Sequence, residues 1–498
     1  MVTFRKIVLI GLITAAGCST VSGQEMLGTV LGNYSGVNGI QLNPSSMQSS
    51  KSYLDINILS MDFFVENNYL YLDRKEYKFS RFFQSTSEFP VHEGLYGTGD
   101  RMFYTNDNSR NKNAYQQFRV NGPGAMLIVG RHAFGFTTGF RSVMSMDKLP
   151  YDIANFAYMG LNYRPQQNIN FKDNTNSRIA EMTWAEIGLS YSYALYQRNY
   201  NQVTVGFSAR RLFGYAGMYA KINSVDYLVP NDTTMNVHNM NAEFGYSLPV
   251  AYDKNEIWNE KVFKGGGFGF DLGATYTRFA RIHTNDYFNH LCGQKYEDYI
   301  YRIGVALIDF GAIRFNDHAV KMAIEDKGAD WVNLGDYKFK TIQQFSDTIS
   351  YKFYGNNTEA YKGSSFYIWL PSALSVQFDY HYKKNWYVNG SLIYGFNMAP
   401  GSLSRPSQLS VTPRYETSWF EANLPISFYD WYLLRMGLSL RFYFLTVGTE
   451  KLGQFFNLRN FSGMDFYISI HYFFEKGICK KQKEKGCLDS ERRIFSRN

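Results

Sequence analysis

Past residue 25 the chain has no uninterrupted apolar run of about 18 residues, the length an α-helix needs to cross a bilayer, so a helical membrane protein is excluded. Cysteine is scarce, with 4 in 498 residues and no Cys-x-x-Cys pair, and the 8 histidines are scattered. Zinc-ligand spacing is therefore absent and no cofactor is expected. Charged residues make up only 19 %, and the net charge of +8 is modest for this length, so nucleic-acid binding is not expected. No repeat recurs at the period of a propeller blade, which argues against a large secreted β-propeller. No Gly-x-Ser-x-Gly or His-Glu-x-x-His constellation occurs, so the chain is not expected to be an enzyme.

Aromatic side chains, by contrast, are abundant: 40 Tyr and 41 Phe bring the aromatic share to 18 %. They sit within strictly alternating stretches. In Gly463–Phe474, Met464, Phe466, Ile468, Ile470, Tyr472 and Phe474 fall on one face of a strand, and Asp465, Tyr467, Ser469 and His471 on the other. Leu434, Met436, Leu438, Leu440, Phe442 and Phe444 alternate likewise with Arg435, Ser439, Arg441 and Tyr443. Leu374, Val376, Phe378, Tyr380 and Tyr382 do so with Ser375, Gln377, Asp379 and His381. Such runs reach about ten residues with aromatics at their ends, as a tilted bilayer-spanning strand requires. The expected fold is all-β, a transmembrane antiparallel barrel over 51–476 with an even strand number, closed by pairing 463–474 with 53–65. An Arg at Leu438 or Ile468 should impair assembly, and one at Ser439 or Ser469 should be milder.

The amino end fits export. Arg5 and Lys6 precede the apolar stretch Ile7 to Ala16, and Val21-Ser22-Gly23 suits cleavage before Gln24, giving a signal peptide over 1–23. Ala15-Ala16-Gly17-Cys18 is a looser lipoprotein-type alternative. The expected location is the outer membrane of a Gram-negative bacterium, with outer-membrane lipid as the surrounding partner. Residues 24–50, rich in Gly, Asn and Ser but carrying Leu27, Val30, Leu31, Val37, Ile40 and Leu42, are expected to fold into the lumen as a plug. Residues 477–498 form a basic periplasmic tail, in which Cys479 and Cys487 could pair while Cys292 stays alone in a loop. Short turns near Arg198–Gln202 and Lys383-Lys384-Asn385 mark the periplasmic side. Irregular stretches near 97–117, 223–241 and 325–364 mark the outside. Shortly after the Ile303–Phe310 strand, Asp317–Trp331 has Val320, Ala323 and Ile324 at helical spacing and is expected to be a helix stopped by Gly328.

Asn43-Pro44-Ser45 resembles the Asn-Pro-Ala signature near the mature amino end of barrels similar to the long-chain fatty-acid transporters and the type IX secretion shuttle barrel, with Ser45 in place of Ala. Residues Gly265 to Gly273 (GGGFGFDLG), Leu307 to Ile313 (LIDFGAI), Leu370 to Leu374, Trp386 to Asn389 and Thr412 to Glu416 resemble the motifs of an uncharacterised Bacteroidetes outer-membrane barrel family. The resemblance spans about residues 26–474 and implies a barrel of about fourteen strands with an amino-terminal plug. It implies no substrate.

The residues themselves nominate a lumen. On 267–276, Phe268, Phe270, Leu272 and Tyr276 face outward, leaving Gly267, Gly269, Asp271 and Gly273 inside, where small residues let a plug or ligand approach the wall. Asp271 needs a partner of opposite sign, for which Arg435 and Arg441 are candidates. Wall-to-plug salt bridges are the plainer reading of those arginines, and a grip on a substrate carboxylate is the sharper one. Asp379 and His381, two apart on one face, are the nearest thing to an acid/base pair, but lack the further elements of a catalytic site. Together with Asn43 and Pro44 these are the candidate lumen residues. Two functions fit: passage of a small hydrophobic molecule under control of the plug, or a blocked adaptor barrel that docks a secreted or envelope protein. An ion-selective porin fits less well, since no ladder of charge is present.

Overall fold

In the computed structural model the described residues are 25–78, 91–254, 261–281, 298–334, 337, 339–399 and 401–475. The proposed signal peptide, the basic tail and its cysteines, and Cys292 lie outside them. Fourteen antiparallel strands close into one barrel. They are β1 Leu54–Asn67, β2 Lys112–Asn121 with Gly124–Val129, β3 His132–Leu149, β4 Ser177–Arg198, and β5 Asn201–Leu228. Next come β6 Met235–Ser247 with Gly265–Phe279, β7 Tyr299–Phe315 with Val320–Trp331, β8 Phe366–Trp369 with Ala373–Lys383, and β9 Trp386–Gly395. The circle is completed by β10 Gln408–Glu416, β11 Phe420–Asn423 with Ile426–Tyr429, β12 Leu433–Met436 with Leu438–Phe442, β13 Leu445–Thr449, and β14 Gly463–Phe474. β14 pairs with β1 from Leu54↔Phe474 to Glu66↔Gly463, as its alternation with 53–65 required.

The period-2 pattern sets which side faces in. On β14, Asp465, Tyr467, Ser469 and His471 are buried, while Tyr472 and Phe474 are exposed on the outer face. On β12, Arg435, Ser439 and Arg441 are buried against exposed Leu434, Met436 and Phe442. Tyr443 departs from the pattern: it lies in a turn at φ 49° and is exposed rather than inward. An apolar outer face and a polar inner one are what a bilayer outside and a hydrated or plugged lumen inside demand. Short turns join β2 to β3, β4 to β5 and β8 to β9 at the end where β1 begins, and Asn199 and Lys384 take the left-handed conformation that a tight turn needs.

At the other end β4 to β7 overshoot the wall. Residues 201–214 of β5 pair with the second segment of β6, whereas 217–228 pair with its first segment. That first segment pairs in turn with 320–331 of β7. Two helices, Tyr151–Met159 and Ile342–Tyr354, pack on this extension around Phe156, Tyr227, Val237, Ile324 and Phe353. The expected helix over 317–331 is therefore a strand. Its Val320, Met322 and Ile324 alternate as well as recur, and main-chain pairing with 235–246 decides between two readings that local spacing left open. The helix of this region lies later, capped by Thr341 Oγ1, which accepts from Gln344 N–H at 3.1 Å, and ended at Gly355 with φ 77°.

Candidate functional site

Residues 25–50 pack against inward-facing residues of the strands, and most of them are buried. Their many Gly, Asn and Ser prevent a long helix, and they fold as three short helical turns, Leu27–Val30, Gly36–Gly39 and Pro44–Ser49. Asn43 begins the last of these from an extended backbone. Its Oδ1 accepts from Ser45 N–H at 3.0 Å and Ser45 Oγ–H at 2.6 Å, while Pro44 supplies the first-turn φ without needing a donor partner. The same Asn43 reaches the wall: Nδ2 donates to Gln377 Oε1 at 3.0 Å and to Thr275 Oγ1 at 3.3 Å. The wall beneath is glycine. A Cβ on Gly273 would strike Asn43 and Pro44, one on Gly304 would strike Asn43, and one on Gly206 would strike the Pro44–Ser45 backbone. Three neighbouring strands, β5, β6 and β7, each omit a side chain at this one spot, which is the close backbone approach glycine permits.

Apolar contacts flank the knuckle. Val37, Ile40 and Met47 pack on Met126, Ile128 and Ala133, while Leu27, Val30, Leu31 and Leu42 join Ala306, Ile308, Ala373 and Ile393. A cavity of about 60 Å³ remains between the segment and β6 to β9, lined by Leu31, Asn43, Thr275, Arg302, Gln377 and Asp379. It has room for a few waters, and a drug-sized ligand needs several hundred Å³.

Charge clamps the ends of the segment. A β-bulge on β7 slips the β6–β7 register between Phe270 and Leu272 and turns Asp309 inward, in the left-handed conformation at φ 57°, beside Asp271, which faces inward by alternation. Asp309 N–H donates to Asp271 Oδ1 at 2.7 Å. Asp309 then accepts from both terminal nitrogens of Arg141 at 2.7 and 3.0 Å, and from Arg405 Nη1 at 3.2 Å. Arg210 bridges the two carboxylates, at 2.9 Å to Asp309 and 2.6 Å to Asp271. Arg405 also donates to Glu25 at 2.9 and 2.6 Å, which ties the start of the segment to this cluster. A second cluster holds its end. Glu416 accepts from Lys51 Nζ at 2.7 Å and from both nitrogens of Asn33 at 3.0 and 3.1 Å, and it forms an ion pair with Arg414 at 3.0 Å. Burial pushes the Lys51 ammonium down, but Glu416 and then Tyr387 outweigh it and hold Lys51 above its ordinary range.

The candidate residues are thus distributed rather than gathered. Asn43 and Pro44 form the knuckle. Asp271 pairs with Arg210, not with Arg435 or Arg441, because those two lie on β12, across the barrel from β6, and have nearer carboxylates in Glu450 at 3.3 Å and Glu421 at 3.1 Å. Asp379 accepts from Arg302 at 2.8 Å and Arg414 at 3.1 Å, with Tyr299 as a further donor. His381 is partly exposed at the short-turn end, stacked on Tyr387 with ring centroids 4.4 Å apart and its Nε2 2.6 Å from Lys384 O. The two do not pair with each other. Sequence reasoning missed Arg141, Arg210, Asp309, Arg405, Glu416 and Lys51. A signal existed for Asp309, which sits inside the quoted Leu-Ile-Asp-Phe-Gly stretch, and for Arg210, one half of an Arg-Arg doublet whose members must face opposite ways.

The class defined by these features is a closed antiparallel β-barrel with an apolar exterior. Family comparison matches residues 44–450, and the chain belongs to DUF5723, a family of unknown function. No curated protein matches it in sequence. Among solved structures it is similar to a deletion mutant of the TodX monoaromatic hydrocarbon channel, at 10 % identity over 91 % of this chain and 99 % of that one, with a TM-score of 0.43. The Ralstonia pickettii toluene transporter TbuX matches at 9 % identity over 89 % and 94 %, with a TM-score of 0.37. A Pseudomonas aeruginosa FadL homologue matches at 10 % identity over 92 % and 99 %, with a TM-score of 0.27. At such scores these likenesses carry no weight for substrate.

Proposed function

We propose that the protein is an outer-membrane barrel that passes a small hydrophobic molecule, with residues 25–50 as a plug anchored at its ends and movable in its middle. The observation that carries this reading is the glycine seat. Three wall strands give up side chains at Gly206, Gly273 and Gly304 so that Asn43-Pro44-Ser45 can dock by neutral hydrogen bonds. A lumen that only had to stay shut would be filled by the wall's own side chains. A seat held by neutral contacts releases its occupant at a lower free-energy cost than an ion pair does. The wall next to the segment also has a discontinuity. β2 breaks at Gly122–Pro123, β1 bulges at Ile58, and Val37 lies against Gly124 from the inside. Movement of the segment would uncover that break and give an apolar molecule a sideways exit into the bilayer. On this reading residues 1–23 are a signal peptide, 477–498 a periplasmic tail, and no cofactor or catalysis is involved.

The test is a reversible lock. With Asn43→Cys and Gly273→Cys, a disulfide should hold the knuckle on its seat and abolish uptake of a hydrophobic fluorescent probe into proteoliposomes, and reductant should restore it. Deletion of 25–50 from a barrel that still folds should raise uptake. Unchanged uptake in both, with loss of an envelope-protein partner from the deletion variant, would replace transport by the adaptor reading.

A further inference from the structure

The Arg-Arg doublet of β5 splits its members. Arg210 enters the Asp271–Asp309 cluster, and Arg211 emerges on the outer wall, exposed. There its guanidinium lies 4.7 Å from the Phe268 ring and 5.7 Å from Phe213, and Nη1 donates to Gly267 O at 3.2 Å. Two strands along, Arg314 is exposed on the same face, 5.9 Å from the Tyr367 ring. Between them is Gly266, which pairs with Arg314 and would place a Cβ 3.1 Å from Arg211 Nη2. The two arginines therefore flank a notch that has no side chain.

Its height on the wall is fixed by its neighbours. Toward the short-turn end the outward residues are apolar and exposed: Leu189, Phe207, Phe270, Leu272 and Phe310. Toward the other end, two outward positions above the Ile187–Arg211 pair, Thr183 and Ser142 hydrogen-bond at 2.9 Å on the outer face. Tyr367 and Trp369 stand at the level of Arg314, as interfacial aromatics do. The notch thus lies at the rim of the apolar band, at the headgroup level of the leaflet on the long-connection side. Lumen arginines such as Arg141, Arg210, Arg405 and Arg414 are ion-paired, whereas neither Arg211 nor Arg314 has a carboxylate partner among the described residues.

We propose that Arg211 and Arg314 form a binding site for a phosphate group on an outer-leaflet lipid, with Gly266 leaving space for the phosphate and Phe268, Phe213 and Tyr367 lining the lipid's apolar part. The inference rests on reading the barrel as membrane-spanning. Two guanidiniums at an interface can satisfy each phosphate oxygen with charge-assisted, planar hydrogen bonds, and the low dielectric there strengthens them. Snorkelling to water would satisfy the charges singly but gives no reason for the bare notch between them.

The experiment is native mass spectrometry of the full barrel in mild detergent with three probes: bisphosphorylated lipid A, the same lipid dephosphorylated, and a diacylglycerol, which carries no phosphate. The wild type should retain the phosphorylated lipid about tenfold better than the other two, and R211Q/R314Q should lose that preference, as expected for charge-assisted bonds. Gly266→Leu, which fills the notch and keeps both charges, should lose it too, while R131Q in the β2–β3 turn should not. Equal retention of phosphorylated and dephosphorylated lipid, or an unchanged preference in R211Q/R314Q, overturns the site. Heat-modifiable mobility and insertion into vesicles are scored in parallel. A barrel that inserts but shows no phosphate preference loses only this proposal, and one that does not insert loses the membrane reading itself.

Discussion

The ends of the N-terminal segment and its middle are held by different physics. Glu25 and Lys51 reach carboxylate–guanidinium clusters buried in the lumen, with Arg405 and Glu416 as their direct partners. Asn43, Pro44 and Ser45 sit on bare backbone and meet only amide and hydroxyl groups. Removing one partner of a buried ion pair leaves a charge stranded at low dielectric, whereas a neutral hydrogen bond exchanged for water changes little. The ends therefore belong to the stability of the barrel, and the middle is the part that can leave.

The hardest blow to that comparison comes from Asp309. Three arginines share it, so Asp309→Ala should destabilise the barrel by about 3–5 kcal/mol, read as a lower denaturant midpoint of the heat-modifiable band. A midpoint close to wild type would show that the cluster is not structural. Next is the wall. Leu438→Arg on the outer face should cost about 2–4 kcal/mol if that position is at mid-bilayer. Ser439→Arg, one residue along, was expected from alternation alone to be milder. With Ser439 fully buried against Gly28, and Ser469 hydrogen-bonded to Asn38 at 3.0 Å, an Arg at either position would collide with residues 25–50, and both inward variants should fail as well. Equal tolerance of the inward variants would mean that the segment leaves the lumen readily.

Gly273→Leu sharpens the other side. It should unseat the knuckle at about 1–3 kcal/mol of overpacking, leave the heat-modifiable barrel in place, and make a cysteine at position 43 accessible to a water-soluble maleimide. The smallest effect is electrostatic and lies outside the wall. Burial, with Asp147 nearby and Asn113 partly offsetting it, pushes the Asp430 carboxyl in the β11–β12 turn up to about 6. A carboxyl raised on folding binds its proton more tightly in the folded state, so stability is highest below its ordinary range and falls as pH rises from about 4 to about 6. Asp430→Asn, which also suits the left-handed φ of 46°, should remove that fall, on the order of 1 kcal/mol, from the pH dependence of the denaturant midpoint.

Alternation made the barrel legible. Every second residue of 463–474 and 434–442 is apolar, and a strand gives that pattern only one way to face, so closure of β14 on β1 and the inward row of Arg435, Arg441 and Asp379 followed from the sequence alone. The short turns at Asn199 and Lys384 followed too, because turn chemistry is local. The segment 317–331 was not legible, since its residues suit a helix or a strand and only a partner 80 or so residues away in sequence chose between them. Nor was the pairing of charges. Sequence shows that Asp271 needs a cation, but which arginine stands opposite depends on how many strands separate them around the ring and on a one-residue bulge at Asp309. The amino acids fixed the face each residue shows. Only closure of the barrel brought Asp271 to Arg210, Glu416 to Lys51, and Asn43 to a floor of three glycines, because those contacts join strands whose order around the circle is a property of the whole chain.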